Sequence, residues 1–299
     1  IKLNSNITVI GDAAFKGCTA LKELKGFSAI TSFGESVFEG CTALESFEIP
    51  DTVTAIPSKA FSGCTALAEI KEHKNIKTVA SDAFENTAWE NGKEDGALNF
   101  GRVLYGVKGK VQDIVVGKGI EIIESYVFIG CDYIKSVVFG EDVSEIGLYA
   151  FQNCRNIETL TFGSAVGVIE AGAFKGCSSL KSIDFSETTL AAIGYEAFMD
   201  CTSLESAALS ETLSTIGDYA FANTKIKTVE YGKNVETVGS STYFGDWYFD
   251  NIFIIGEQSS DVLDLGISTI NVGDEIAVGD KTIGMMVRNF GTLDITSVE

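Results

Sequence analysis

A period of about 23 residues governs this chain, and no other property restricts its fold as severely. Aligned on a phenylalanine that mostly follows a small residue, the anchors are Phe15, Phe38, Phe61, Phe84, Phe128, Phe151, Phe174, Phe198, Phe221 and Phe244. They are separated by 23, 23, 23, 44, 23, 23, 24, 23 and 23 residues. Five residues before each of the first nine stands an apolar residue: Ile10, Phe33, Ile56, Val79, Ile123, Ile146, Ile169, Ile193 and Ile216. The unit reads I-G-x-x-A-F-x-x-C-x-x-L-x-x-I-x-F, and its closing segment, as in Leu180 to Phe185, alternates inward and outward like a strand. One unit alone has no second layer to bury its apolar side against, so neighbours must stack into a right-handed or similarly coiled rod. Each coil adds about 4.7 to 4.9 Å, and ten clear coils with one irregular one give a curved body roughly 50 Å long.

The pattern closely resembles the BspA-like leucine-rich repeat proteins over about Ile7 to Phe244, in strings such as Ile10 to Leu24, IGDAAFKGCTALKEL. The resemblance implies a leucine-rich-repeat solenoid, a β-rich, curved, right-handed coil with one parallel sheet plus short turns or helical arcs. It also implies a bacterial cell-surface or secreted protein that works in adhesion. The family's frequent proline after the strand is kept here at Pro50, while Gly140, Gly163, Ser186 and Ser210 fill the slot in other coils.

Two interruptions stand out. The 44-residue gap between Phe84 and Phe128 holds Asn91-Gly92, Asp95-Gly96 and an apolar run from Arg102 to Val107, which predicts a hairpin in place of one coil's outer arc, over about 86–116. After about Asn251 the repeat vanishes. The expected organisation is a solenoid over 1–251 closed by a small strand-rich C-terminal cap over 252–299.

All seven cysteines, Cys18, Cys41, Cys64, Cys131, Cys154, Cys177 and Cys201, stand three residues after an anchor. A disulfide framework would show irregular spacing and a zinc site would show CxxC pairs, so the ladder is expected to be reduced and buried. In the resembling family this slot carries asparagine or cysteine packed inside the coil. Thr87 and Thr224 replace it in two coils, and in that register Trp89 matches Ile226 and belongs in the core. Trp247, among Tyr243, Phe244, Tyr248 and Phe249, is expected to seal the last coil. His73, the one histidine, takes the turn slot that Pro50 holds a coil earlier and is expected to be solvated. A lone histidine supplies neither a metal triad nor a Ser-His-Asp site. No G-x-x-x-x-G-K-[ST] string occurs, and nothing singles out a carboxylate pair for glycoside hydrolysis. No catalytic residue, metal or cofactor is assigned; an enzyme acting on polysaccharide would need carboxylates converging at the hairpin or the cap.

Charge narrows the partners. Lysine and arginine total 22 against 42 acidic residues, and the formal charge of -20 repels phosphate backbones and anionic headgroups. Nucleic acid and membrane surfaces are therefore excluded as expected partners. No stretch approaches the roughly 18 apolar residues of a spanning helix, and the start at Ile1 reads as a trimmed mature fragment. The strands supply a direction, because with the ninth and eleventh residues after each anchor turned inward, the eighth and tenth point out. In the first coils these are Glu23 and Lys25, Ser46 and Glu48, Glu69 and Lys71. Later they become Ser136 and Val138, Thr159 and Thr161, Ser182 and Asp184, Ser206 and Ala208. Such small hydroxyl and apolar residues lose little side-chain entropy when covered, so they form the candidate site for a protein partner, with a glycan as the alternative ligand. A monomer is expected, and a spacer that merely holds another domain outward is the competing reading.

Overall fold

A computed structural model describes residues 1–227 and 234–239. The expected cap over 252–299, the aromatic cluster around Trp247 and the anchor Phe244 lie outside the described residues. The first coils carry β1 (Val9–Ile10), β2 (Ser32–Phe33), β3 (Ser46–Glu48), β4 (Ala55–Ile56), β5 (Glu69–Lys71) and β6 (Thr78–Val79). The irregular coil follows with helix α1 (Ala88–Asn91), β7 (Gly96–Phe100), β8 (Val103–Lys108) and β9 (Asp113–Val115). Beyond it come β10 (Ile122–Ile123), β11 (Ser136–Val138), β12 (Glu145–Ile146), β13 (Thr159–Thr161), β14 (Val168–Ile169), β15 (Ser182–Asp184), β16 (Ala192–Ile193), β17 (Ser206–Ala208), β18 (Thr215–Ile216) and β19 (Thr237–Val238).

The leucine-rich-repeat solenoid is present, but two parallel ladders run along it where one sheet was expected. Three-residue strands pair as β3-β5, β9-β11-β13 and β15-β17. Two-residue strands pair as β1-β2, β4-β6 and β10-β12-β14-β16-β18-β19, the last row headed by the six-residue β8. Helical arcs are absent from the described coils apart from the single turn α1. Instead, the chain rounds each anchor through left-handed backbone. The residue two before the anchor has φ 57° at Ser36, 63° at Tyr126 and 54° at Glu196, and the residue two after has φ 73° at Gly40, 59° at Asn153 and 63° at Asp200. These reversals turn alternate N–H groups toward the next coil: Ser36, Phe38 and Gly40 donate to the carbonyls of Ser58, Ala60 and Ser62 at 2.9, 2.9 and 2.8 Å. Glycine, asparagine and aspartate recur at the later position because they tolerate this conformation.

The glycine that follows the inward residue in several coils, as at Gly34, Gly147, Gly194 and Gly217, has another cause. Its φ is ordinary, but a Cβ on Gly194 would stand 2.6 Å from Ala171 N, and one on Gly217 2.6 Å from Gly194 C. Successive coils touch backbone to backbone there.

Anchor rings stack through the interior with centroids 4.7 to 5.7 Å apart, from Phe15 to Phe84 and again from Phe128 to Phe221. The hairpin separates the two columns. Phe84 ends on Trp89, Phe100 and Tyr105 at 5.0, 4.8 and 5.7 Å, so Trp89 packs against the core as expected, although it is only partly buried. β7 and β8 form the expected antiparallel hairpin. Along β8, Val103 and Tyr105 belong to the first core and Leu104 to the second, the strand's two faces serving opposite sides. This explains an apolar run buried on both faces.

All seven thiols are free, but five rather than seven are buried; Cys18 and Cys131 are half-exposed. Each buried thiol donates to the carbonyl of the preceding coil's anchor: Cys41 to Phe15, Cys64 to Phe38, Cys154 to Phe128, Cys177 to Phe151 and Cys201 to Phe174, at 2.8 to 3.3 Å. Cys18 and Cys131 follow the first anchor of each column and have no such coil behind them. Thr87 and Thr224 turn their hydroxyls to their own coil's anchors, Phe84 and Phe221, at 2.8 and 2.9 Å. His73 is half-buried, not solvated. Its Nδ1 accepts from Asn75 N–H at 3.2 Å, and its Nε2 is enclosed with no hydrogen-bond partner among the described residues. The hairpin turn covers it: a Cβ on Gly101 would lie 2.8 Å from His73 O.

Candidate interaction surface

The candidate residues lie in register on neighbouring strands. Ser136 pairs with Thr159 and Val138 with Thr161; Ser182 pairs with Ser206 and Asp184 with Ala208. β13 and β15 are adjacent but do not share a hydrogen-bonded ladder, so the face is two paired groups side by side. All eight side chains leave the core, with Ser136 half-buried and the others exposed.

The face also begins one strand earlier than the sequence reading placed it. β9 pairs with β11, setting Asp113 beside Ser136 and Val115 beside Val138. Val115 is 65% exposed and Val138 39%, and together they make an apolar spot next to the methyl of Thr161. Ser136 Oγ donates to Asp113 Oδ1 at 2.5 Å. A sequence signal existed: Ile114 stands 23 residues before the inward Val137, although that coil lacks an anchor phenylalanine. Asp184 accepts the Ser186 backbone N–H at 2.9 Å, and this bond, with one from the Ser186 hydroxyl, holds its carboxyl below the usual range and so ionised. Asp113 and Asp184 are the formal charges of this stretch. In the earlier coils the outward positions instead form ion pairs, Glu23 with Lys25 at 3.0 Å and Glu48 with Lys71 at 2.5 Å.

A second feature marks the hairpin coil. The two-residue ladder breaks after β6, leaving a notch of about 420 Å³ bordered by Lys77, Arg102, Glu124 and Glu145. Glu124 Oε2 accepts Val79 N–H at 3.0 Å, and its Oε1 accepts Ser125 N–H at 3.2 Å. Burial pushes its carboxyl above the usual range despite these bonds. Arg102 ion-pairs with Glu121 at 2.5 Å and donates to Ile76 O at 3.2 Å. These groups are thus engaged in closing the break. Among the described residues no group of three His, Cys, Asp or Glu side chains could hold a metal ion, and no helix is long and apolar enough to cross a membrane.

A search of curated proteins found no match. Among solved structures, a leucine-rich repeat protein from Bacteroides ovatus is 23% identical, with 86% of this chain and 59% of that chain covered and a TM-score of 0.39. The chain thus spans 59% of that protein's length. A leucine rich cell surface protein from Faecalibacterium prausnitzii is 21% identical over 82% of this chain and 79% of that one, with a TM-score of 0.40. The pneumococcal vaccine antigen PcpA is 17% identical over 85% and 78%, also at 0.40. The family described as BspA type leucine rich repeat region matches in six copies, over 1–93, 103–189 and 121–250. Residues 94–102, which it skips between its matched stretches, are those that leave the repeat to form β7 and the hairpin turn, and 251–299 also lie outside the match. Since the matched stretches take in most of the chain and follow its stacked coils on both sides of that hairpin, the chain belongs to the BspA-type leucine-rich repeat family.

Proposed function

We propose that the protein is a cell-surface or secreted binding module, and that a protein partner docks on the strand face from Asp113 to Ala208. Family membership supports an interaction scaffold; the surface location and the adhesive role are part of the proposal. The observation that carries it is the change of character along the row of three-residue strands. The outward residues of β3 and β5 form an exposed ion pair, whereas those of β9 to β17 are small or apolar apart from Asp113 and Asp184. A partner on these five strands desolvates few charges, and four or more adjacent coils approach the roughly 800 Å² per side of an ordinary specific interface. No catalytic role is proposed for the notch, where Glu124 serves the backbone of β6.

The test is a binding screen of the purified protein against immobilised matrix proteins and glycans, repeated with Thr161→Arg and Ser182→Arg. Each arginine is expected to weaken the strongest protein interaction by about tenfold or more, since it places a bulky charge at the centre of the face. Binding should depend only weakly on salt. The reading fails if binding survives both arginines and is lost when 91–96 or Trp247 is altered.

A further inference from the structure

We infer a second interaction surface, on the turn edge of the coils after the hairpin, which takes a cationic, arginine-bearing protein segment. The edge is formed by the residues two and three before each anchor. In the first four coils these positions hold no aromatic or large aliphatic residue. After the hairpin they hold Tyr126, Leu148, Tyr149, Tyr195 and Tyr219. Four of the five are exposed, and Tyr149 is half-buried.

Backbone geometry makes this a poor place for tyrosine on structural grounds. Tyr126, Tyr149 and Tyr219 have φ 63°, 50° and 57°, a conformation that strains a bulky side chain and suits glycine or asparagine. Rings left at the surface gain little burial to offset that strain. They are nevertheless held in place. Tyr126 and Tyr149 stack with centroids 5.7 Å apart and planes at 18°, and Tyr195 meets Tyr219 edge-on at 6.0 Å. In the next coil Gly172 occupies the same slot, and the Tyr149 ring fills the space that a Cβ there would need. The rings are therefore positioned before any partner arrives.

Charge selects the partner. Glu170 adjoins the edge positions, and Glu196 and Asp218 occupy two of them; Lys175 ion-pairs with Glu196 at 2.6 Å, each taking up the other's charge, so Glu170 and Asp218 leave the edge net negative. The whole chain carries -20. Aromatic rings beside carboxylates match a guanidinium, which stacks on the one and pairs with the other, better than an ammonium. A neutral glycan would use the rings but gain nothing from the charge.

The experiment measures fluorescence anisotropy of labelled nona-arginine and nona-lysine peptides at about 0.15 M salt, where long-range attraction is screened beyond about 8 Å. The arginine peptide is expected to bind more tightly than the lysine peptide. Tyr126→Asn with Tyr149→Asn should weaken it about tenfold or more without lowering the thermal midpoint, because asparagine accepts left-handed backbone. Gly172→Ala should weaken it while both rings remain. Glu23→Gln with Glu48→Gln, on the distant strand face, should change it less than about twofold if attraction is local. Four results would overturn the inference: unchanged binding by the asparagine variant, a fall in that variant's thermal midpoint showing the rings to be structural, an equal loss of binding in the glutamine control, or loss of glycan-array binding by the asparagine variant with the arginine peptide unaffected.

Discussion

In a regular coil the N–H of the inward residue of each two-residue strand faces the following strand, but at Val79 the hairpin has removed that neighbour and Glu124 Oε2 accepts the proton at 3.0 Å. Glu124 sits where other coils carry Gly147, Gly194 or Gly217, and Glu170 fills the same slot two coils later, so the residue type alone did not mark the site. Its partner was hidden as well, because 45 residues separate the two groups. Replacing Glu124 by alanine should leave that N–H unsatisfied and cost about 1–3 kcal/mol in urea denaturation. Glutamine keeps an acceptor and removes the titration. A carboxyl whose folded pKa is raised binds its proton more tightly in the folded state, so the stability this brings is present at low pH and is lost as pH rises through the folded pKa. Burial raises Glu124 and Glu90 alike. The glutamine variant should therefore gain on the wild type as pH climbs from about 4 to 7, and no relative change would refute the raised carboxyl. The cysteine slot was legible, but its end effects were not, since they depend on which coil has a neighbour behind it. Burial pushes the thiols of Cys154 and Cys201 up to about 12. In native titration Cys18 and Cys131 are expected to react first and the five buried thiols slowly, whereas denaturant should release all seven.

The elements show why one ladder could be read and the other could not. The three-residue strands lie in L-x-x-I-x-F, long enough for alternation to show, and β9 kept that register even without its phenylalanine. Outside the hairpin the other strands are two residues long, one out and one in, and so short an alternation is indistinguishable from a turn. What betrays several of them is a following glycine, as at Gly34, Gly147, Gly194 and Gly217, required by contact rather than by φ. Gly194→Ala would drive a methyl to 2.6 Å from backbone nitrogen of the preceding coil and should destabilise by about 1–3 kcal/mol. At Gly11, in the first coil, a Cβ would meet nothing within 4 Å, and alanine there should stay within about 0.5 kcal/mol of the wild type. Equal effects in thermal or chemical denaturation would show that the slot answers to local conformation, not to stacking.

Across the whole molecule the 23-residue period disclosed the stack but not its partition, because an apolar run such as 102–107 does not reveal that alternate residues face different cores. β8 is the wall between them. Phe174 lies deep in the second column, 5.2 Å from both Phe151 and Phe198 and in edge contact with Phe139 and Phe162 at 6.3 and 6.2 Å. Truncation to alanine should cost about 3–5 kcal/mol, since rings on every side prevent the cavity from collapsing. Phe15 is half-buried against Phe38 alone among the rings, and the same change there should cost less. In a quasi-one-dimensional stack each coil feels only its neighbours, so the loss should spread along the second core and stop where the ring column is interrupted. Hydrogen exchange reads this directly. In Phe174→Ala, amides over about 120–227 are expected to lose protection while those over about 30–85 retain it. A uniform loss over both stretches would mean that β8 couples the two cores into one cooperative unit and does not divide them.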